Sequence, residues 1–299
     1  MKKEQFIPAA GPYHMPETPA AVLDIQTSTR YFRTSLLTEV RLITVLPDNT
    51  VPSETVWTLE KESDDFDILV ELAGALRDVR LIITFNGTGF DIPHLTKKYA
   101  AYRLPNPLEG KHFLDLLKKL RQFDALFPLS SHRLADYMSL FPENEVRTAP
   151  SDAEKELLLT SLLPLEGFLA GNFTLTSART GGEAAIFELL STDPLPVSLR
   201  AKDGPFALTL EGDRACLSAE LFEGRLRRYY PDYRNYEYLT REGYAVHKSV
   251  SSGVGKDRKE KAVRENCFSF FRCTESFLSD GEAVRCYVVS VFAYMRSGG

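Results

Sequence analysis

One stretch constrains this chain more than any other: Leu81-Ile82-Ile83-Thr84-Phe85-Asn86-Gly87-Thr88-Gly89-Phe90-Asp91-Ile92-Pro93-His94-Leu95. An apolar, β-branched run stops at Asn-Gly-x-Gly, and an Asp-x-Pro with the character of a helix start follows. The pattern predicts a buried strand that delivers a carboxylate to a strand-to-helix turn. Two readings of Asp91 stay open. It is either a helix N-cap, with Pro93 fitting the first turn because its missing N–H has no partner there, or a carboxylate held at the turn for metal or phosphate chemistry.

The flanking sequence extends this strand into a sheet. Residues 20–27 read as a strand with Asp24 and Gln26 two apart, hence on one face. Strands are also expected at 40–46 and 55–59, separated by the turn signals Pro47-Asp48-Asn49. The short connections make an antiparallel meander. Ser63-Asp64-Asp65 starts a helix whose apolar positions, Phe66, Leu69, Val70, Leu72, Ala73 and Leu76, follow helical spacing. It leads into the strand at 79–85, and a short amphipathic helix runs from Asp91 through Tyr102. Residues 111–117 are either a last strand ending near Asp115 or the start of a basic helix over 118–123. A further helix is expected over 132–140, and 157–169 is strongly apolar. The order β-β-β-α-β-α-β-α describes an α/β mixed sheet flanked by helices.

From Thr174 the texture changes. After a helix expected near 183–190, short alternating segments at 196–200, 206–211, 215–221, 225–230 and 236–239 predict a β-rich second unit. A charged helix at 257–265 and strands near 268–272 and 284–294 complete it. With 299 residues, 43% of them hydrophobic, the chain suits two domains. The expected division is an irregular lead-in at 1–19, an α/β domain at 20–172 and a β-rich extension at 173–299. No apolar run approaches the ~20 residues that span a bilayer, and the start Met1-Lys2-Lys3-Glu4-Gln5 lacks the apolar core of a signal peptide. The expectation is a cytoplasmic protein without membrane association. Cys216, Cys267, Cys273 and Cys286 form no C-x-x-C pair and no zinc spacing. Net charge is −5 overall, but residues 1–172 carry 18 basic and 24 acidic side chains (−6) while 173–299 carry 18 and 17 (+1). A phosphate-facing patch therefore belongs to the second half. There, Arg225-x-Arg227-Arg228-Tyr229-Tyr230 interleaves cations with aromatics, which suits either phosphate contact with base stacking or a strand with one wet face. Arg227 and Arg228 are the candidates.

Three segments carry a resemblance. Ala21-Val22-Leu23-Asp24-Ile25-Gln26-Thr27, the stretch from Asn86 to Leu95, and His112-Phe113-Leu114-Asp115-Leu116 together resemble the YprB-like family of ribonuclease H-like proteins, relatives of the DEDD 3′–5′ exonucleases. The match covers roughly residues 20–140. The segments Tyr230-Pro231-Asp232-Tyr233-Arg234-Asn235-Tyr236-Glu237-Tyr238-Leu239 and Ala245-Val246-His247-Lys248-Ser249-Val250 resemble the extension that accompanies this domain in some members. The resemblance implies a ribonuclease H-like sheet, Mg²⁺ or Mn²⁺, and DNA or RNA as partner, with single strands preferred. It implies that Asp24, Gln26, Asp91 and Asp115 are the catalytic positions, that Asp24, Asp91 and Glu166 hold metal, and that Thr27 and Asn86 lie beside substrate. Two carboxylates brought together across one sheet edge repel, and a divalent cation is the usual relief.

The chain departs from the family pattern in two places. The family's first motif is Asp-x-Glu-Thr, and Gln26 stands where the glutamate belongs, which removes one negative charge from a site for two dications. The third motif, a His or Tyr four residues before the last aspartate on a late helix, is not recognisable; the acids in that region are Asp152, Glu154, Glu156 and Glu166. Two functions follow as alternatives: a metal-dependent 3′–5′ exonuclease of weakened or lost activity, or a non-catalytic binding or scaffold protein acting through its C-terminal unit.

Overall fold

A computed structural model describes residues 1–8, 18–29, 31, 34–45, 52–127, 129–141 and 150–297. The turn expected at Pro47-Asp48-Asn49 lies outside them. The chain divides into two compact units, Met1–Arg121 with Ser130–Leu163, and Gln122–Leu129 with Pro164–Gly299. The division falls at 163/164 rather than at the expected 172/173, because the short helix before the second sheet packs with that sheet.

The first unit is built on a six-stranded mixed sheet. Its strands are β1 (Lys2–Phe6), β2 (Ala20–Thr27), β3 (Leu37–Val45), β4 (Ser53–Thr58), β5 (Leu81–Thr84) and β6 (His112–Asp115). Their order across the sheet is β1-β4-β3-β2-β5-β6. The expected meander is there, β2 with β3 and β3 with β4, all antiparallel. β2 and β5 are central neighbours and run parallel, and β6 continues the parallel half. The lead-in is not irregular throughout: Lys2–Phe6 pairs antiparallel with β4 and forms the sheet edge. Residues 111–117 satisfy both readings, since β6 ends at Asp115 and helix α3 (Leu116–Leu120) begins at the next residue.

Helices α1 (Asp64–Ala75), α2 (Asp91–Ala101), α4 (Leu134–Met138) and α5 (Asp152–Leu159) complete this unit. The α1 positions picked out by spacing include Leu69, Leu72 and Leu76, all fully buried, and they join Leu23, Leu42, Trp57 and Tyr99 in one core. Burial of such side chains contributes about 1.5–3 kcal/mol each. A buried polar junction locks this core. Asp65 accepts from the Lys98 ammonium at 2.6 Å, from the Tyr102 hydroxyl at 2.8 Å and from the Leu37 amide at 2.8 Å, which ties α1, α2 and β3 together.

The second unit is β-rich, as expected. It comprises α6 (Pro164–Leu169), the three-stranded sheet of β7 (Phe173–Gly181), β8 (Ala184–Asp203) and β9 (Phe206–Glu220), and the shorter strands β10 (Arg225–Tyr229), β11 (Tyr236–Leu239), β12 (Tyr244–His247), β13 (Lys259–Lys261) and β14 (Phe268–Arg272). It closes with α7 (Glu275–Ser279) and α8 (Gly281–Arg296). Three local expectations are corrected here. The helix expected near 183–190 is the start of β8: Ala185, Phe187 and Leu189 are buried at every second position, and Gly182 at φ 62° makes the tight turn back from β7. The strand expected near 284–294 is helix α8, whose buried Val284, Tyr287, Val288, Val291, Phe292 and Met295 repeat at helical spacing behind an Asp280 cap. The charged helix at 257–265 is a 3₁₀ turn followed by β13, which pairs with β11. Among the described residues no helix is long and apolar enough to cross a membrane.

The Asp65 junction yields a stability prediction. Asp65→Ala leaves the Lys98 ammonium buried without its carboxylate, which typically costs about 3–5 kcal/mol. Trp57, the sole tryptophan, is 1% exposed in this core, so urea unfolding followed by its fluorescence reads the loss directly. A shift below about 1 kcal/mol would show the junction to be dispensable.

Candidate active site

The parallel pairing of β2 with β5 runs only through Ala20–Leu81, Ala21–Ile82 and Val22–Ile83. Beyond it both strands continue toward a cleft, the place where open α/β sheets present ligand sites, at the carboxyl ends of parallel strands. The cleft has a volume of about 880 Å³ and is lined by Asp24, Thr27, Asn86, Phe90, Asp91 and Asp152 among others.

Asp91 reaches it through a tightly specified turn. Asn86 adopts φ 63°, a left-handed conformation that asparagine tolerates better than most residues. Gly87 has no room for a side chain: a Cβ there would stand 2.5 Å from the Thr84 Cβ and 2.7 Å from Asp91 Oδ2. The turn closes through Gly89 N–H to Asn86 C=O at 3.0 Å and Ile92 N–H to Gly87 C=O at 2.9 Å. The N-cap of α2 is Phe90, without a side-chain cap, and Asp91 is the first helical residue. Asp91 is therefore not the cap of its helix.

Asp115 fixes this turn from the neighbouring strand. Its Oδ1 accepts from the Asn86 amide at 2.9 Å, and its Oδ2 accepts from the Thr88 amide at 3.3 Å and from the Thr88 hydroxyl. Both oxygens of this residue, expected among the catalytic positions, are engaged with backbone and hydroxyl donors of the turn that carries Asp91, and its charge acts on Asp91.

A further carboxylate comes from α5. Ser151 caps this helix, accepting from the Glu154 amide at 3.1 Å, while Glu154 accepts from the Ser151 amide at 2.9 Å. The Ser151 hydroxyl also donates to Glu54 on β4 at 3.2 Å, and Glu54 in turn binds Arg41 on β3 at 3.1 Å. These bonds seat α5 against the sheet with Asp152 and Glu156, four apart and on one helix face, toward the β2 carboxylate. Glu156 is 3% exposed.

The electrostatics show that these groups share one neighbourhood. Burial, then repulsion from Asp152, pushes the Asp24 carboxyl up to about 6, against the pull of Arg41. Burial and the Asp24 charge push Asp91 up to about 7, with the amides of Asp91 and Ile25 acting the other way. Glu156 is held well above the carboxylate range by burial and by Asp24, Asp91 and Asp152 together. Asp24 Oδ2 and Glu156 Oε2 are buried with no hydrogen-bond partner among the described residues. Buried carboxylate oxygens without partners are expensive unless a cation or proton completes them. The donors therefore fit a hard divalent cation in kind, all of them carboxylate oxygens. Among the described residues, no three His, Cys, Asp or Glu side chains form a group that could hold a metal ion.

The other expected residues fall as follows. Gln26 is exposed on β2, where β2 and β3 lose register between Gln26 and Thr27. Thr27 and Asn86 line the cleft. Glu166 lies on α6 in the second unit. Arg227 and Arg228 also belong to the second unit, on β10. Glu156 is the residue that sequence reasoning passed over. Its signal was present in Ser151-x-x-Glu154, a capping box, followed by Asp152-x-x-x-Glu156 at one-turn spacing.

Because Asp24 and Asp91 hold their protons more tightly folded than unfolded, the folded chain binds more protons between about pH 4 and pH 7, and stability falls as pH rises through that window. Asp91→Asn removes the repelled charge while keeping its shape. In EDTA it should stabilise the first unit at pH 8 by roughly 1–3 kcal/mol, given about 1.4 kcal/mol per pKa unit, and have little effect at pH 4. Thermal melts at the two pH values check this; equal effects at both would contradict the repulsion.

No curated protein matches the chain in sequence. Among solved structures it is similar to exonuclease I in complex with the inhibitor CFAM, at 10% identity and a TM-score of 0.41, over 58% of this chain and 56% of that one. A second structure of exonuclease I gives 11% identity and a TM-score of 0.37, over 58% and 55%. The family B DNA polymerase of the archaeon Pyrobaculum calidifontis gives 17% identity and a TM-score of 0.38, over 52% and 26%. The chain thus covers little more than half the length of these exonuclease I chains. Residues 34–140 match the family model RNase_H_2 of the RNase_H superfamily. With the meander, the parallel β2–β5–β6 half and the flanking helices in place, the first unit has a ribonuclease H-like fold, and residues 34–140 within it are similar to the RNase H superfamily.

Proposed function

We propose that the first unit carries out divalent-metal-dependent hydrolysis of phosphodiester bonds in single-stranded DNA or RNA, as a 3′–5′ exonuclease. The observation that carries this reading is the mutual repulsion of Asp24, Asp91 and Glu156, with two of their oxygens buried and unpartnered beside an open cleft. Asp24, Asp91 and Glu156 are the residues that would hold Mg²⁺ or Mn²⁺, and a cation bound there polarises a phosphodiester and acidifies water.

The protein's own groups do the rest. Thr27 and Asn86 at the cleft wall offer hydroxyl and amide groups to the sugar-phosphate backbone, and Phe90 offers a ring. Asp152 is the solvent-facing carboxylate of the set, paired with Lys155 at 2.6 Å. It stands one helical turn before Glu156, where the related exonucleases place a His or Tyr, and it is the group positioned to accept a proton from attacking water. Asp24 and Asp91 must ionise before they can hold a cation, so activity should rise between about pH 6 and pH 8.

The second reading, a non-catalytic binding protein, is favoured by Gln26, which is neutral and exposed where the family carries a glutamate. The two readings separate by experiment. The enzyme reading expects Mn²⁺-stimulated shortening of a 5′-labelled single strand that falls at least about a hundredfold in Asp91→Ala and in Glu156→Gln. Equal residual activity in wild type and both variants would end it. For the binding reading, calorimetric Mn²⁺ titration should show little heat with wild type and recovery in Gln26→Glu; tight two-site binding by wild type counts against it.

A further inference from the structure

Strands β10 and β14 of the second unit pair antiparallel as an isolated two-stranded ribbon. Directly opposed residues share a face, so the register sorts its side chains. Arg225 opposite Arg272, Arg227 opposite Phe270 and Tyr229 opposite Phe268 lie on one side; Leu226 opposite Phe271 and Arg228 opposite Ser269 lie on the other. Arg227 and Arg228, adjacent in sequence, therefore serve different surfaces. Arg228 faces a separate hollow with Tyr230 and Ser269.

The first face combines cations and rings in an ordered way. Phe222, from the turn before β10, stacks on Phe270 with centroids 5.4 Å apart and planes 23° apart. The Arg225 guanidinium lies 4.5 Å from the Phe270 centroid and 5.5 Å from that of Phe222, and Arg227 lies 5.0 Å from Phe268. Ring contacts of this kind orient the guanidinium planes and leave their edges to bind an anion; Arg227 also hydrogen-bonds the Tyr229 side chain. Glu223, at 2.8 Å from Arg225, is the one acid paired with these three arginines among the described residues. Phe222 is 46% exposed and Arg272 is also exposed. An exposed ring in a stack, flanked by arginines with a surplus of positive charge, complements a polymer that carries both phosphates and flat bases.

We infer that this face of the β10–β14 ribbon binds single-stranded nucleic acid, with Arg225, Arg227 and Arg272 on the phosphates and Phe222 with Phe270 as the stacking platform. The inference rests on the proposed function only for the choice of polymer; the surface belongs to the second unit and its binding needs no metal.

The test is fluorescence anisotropy of a 5′-fluorescein oligothymidylate titrated with the full chain in EDTA, where metal-dependent hydrolysis is silent. Arg227→Ala with Arg272→Ala should weaken binding at least tenfold and flatten the slope of log K against log salt by about 1.4, or about 0.7 per lost phosphate contact. Phe222→Ala should weaken binding about five- to hundredfold with the salt slope unchanged. Arg200→Ala, removing an exposed arginine of the same unit that pairs with Glu211, should stay within twofold of wild type. Absence of wild-type binding, or wild-type affinity in both ribbon variants, overturns the inference. If affinity falls only in Asp91→Asn, the ribbon is excluded while the nuclease reading stands. If the ribbon variants lose binding and the wild type never shortens a strand with Mn²⁺, the ribbon stands and the nuclease reading falls. Displacement of the probe by oligoglutamate as readily as by unlabelled oligothymidylate would assign the face to acidic peptide and overturn the nucleic-acid assignment.

Discussion

The parallel pairing of β2 with β5 is the constraint on which the site depends. It ends at Val22–Ile83, one residue short of Thr84 and two short of Asp24, so two central strands deliver polar side chains into the opening where their ladder stops. Everything that follows is a consequence of that opening. The turn after β5 must reverse within a few residues, hence Asn86 at φ 63° and a glycine at 87 with no space for a Cβ. Asp91 is then carried to the mouth of the opening at the start of α2. Asp115 on β6 holds the turn by accepting its amides.

Burying several carboxylates in one place works against folding, and the structure shows how the surroundings limit the damage. Arg41 draws down Asp24 while bonding Glu39 and Glu54, and Glu54 receives the hydroxyl that caps α5. One arginine thus links the meander to the helix that carries Asp152 and Glu156. The residual repulsion left among Asp24, Asp91 and Glu156 is the kind of unrelieved charge from which the proposed cation site is argued. An equal number of carboxylates retained only for structure would be expected to have partners, as Asp65 has in Lys98, Tyr102 and the Leu37 amide.

The second unit follows a different logic. Its long strands bury Phe173 and Phe206 against Phe292 and Tyr294 of α8, with Phe168 of α6 beside them, while its short β10–β14 ribbon buries Tyr229 and Phe268 at one end and leaves Arg272 and the neighbouring Phe222 exposed at the other.

The sequence by itself determined the order of elements from β2 to β6 and the turn that carries Asp91, because each depends on short-range patterns: β-branched runs, Asn-Gly turns, helical spacing of leucines; the edge strand β1 and the parallel pairing of β2 with β5 rest on contacts distant in sequence. It also contained the helix at 281–296, whose apolar period was hidden beneath a run of valines. It could not decide the start of β8, where helix-forming residues become strand because β7 and β9 pair on either side. Nor could it rank Asp115, Glu156 and Glu166. All three are acids near a helix start, and only the tertiary structure shows one bonded to a turn, one buried against Asp24 and Asp91, and one in the other unit. The reason is physical: the role of a carboxylate is set by the solvent it loses and the charges it meets, and both are properties of the folded surroundings rather than of neighbours along the chain.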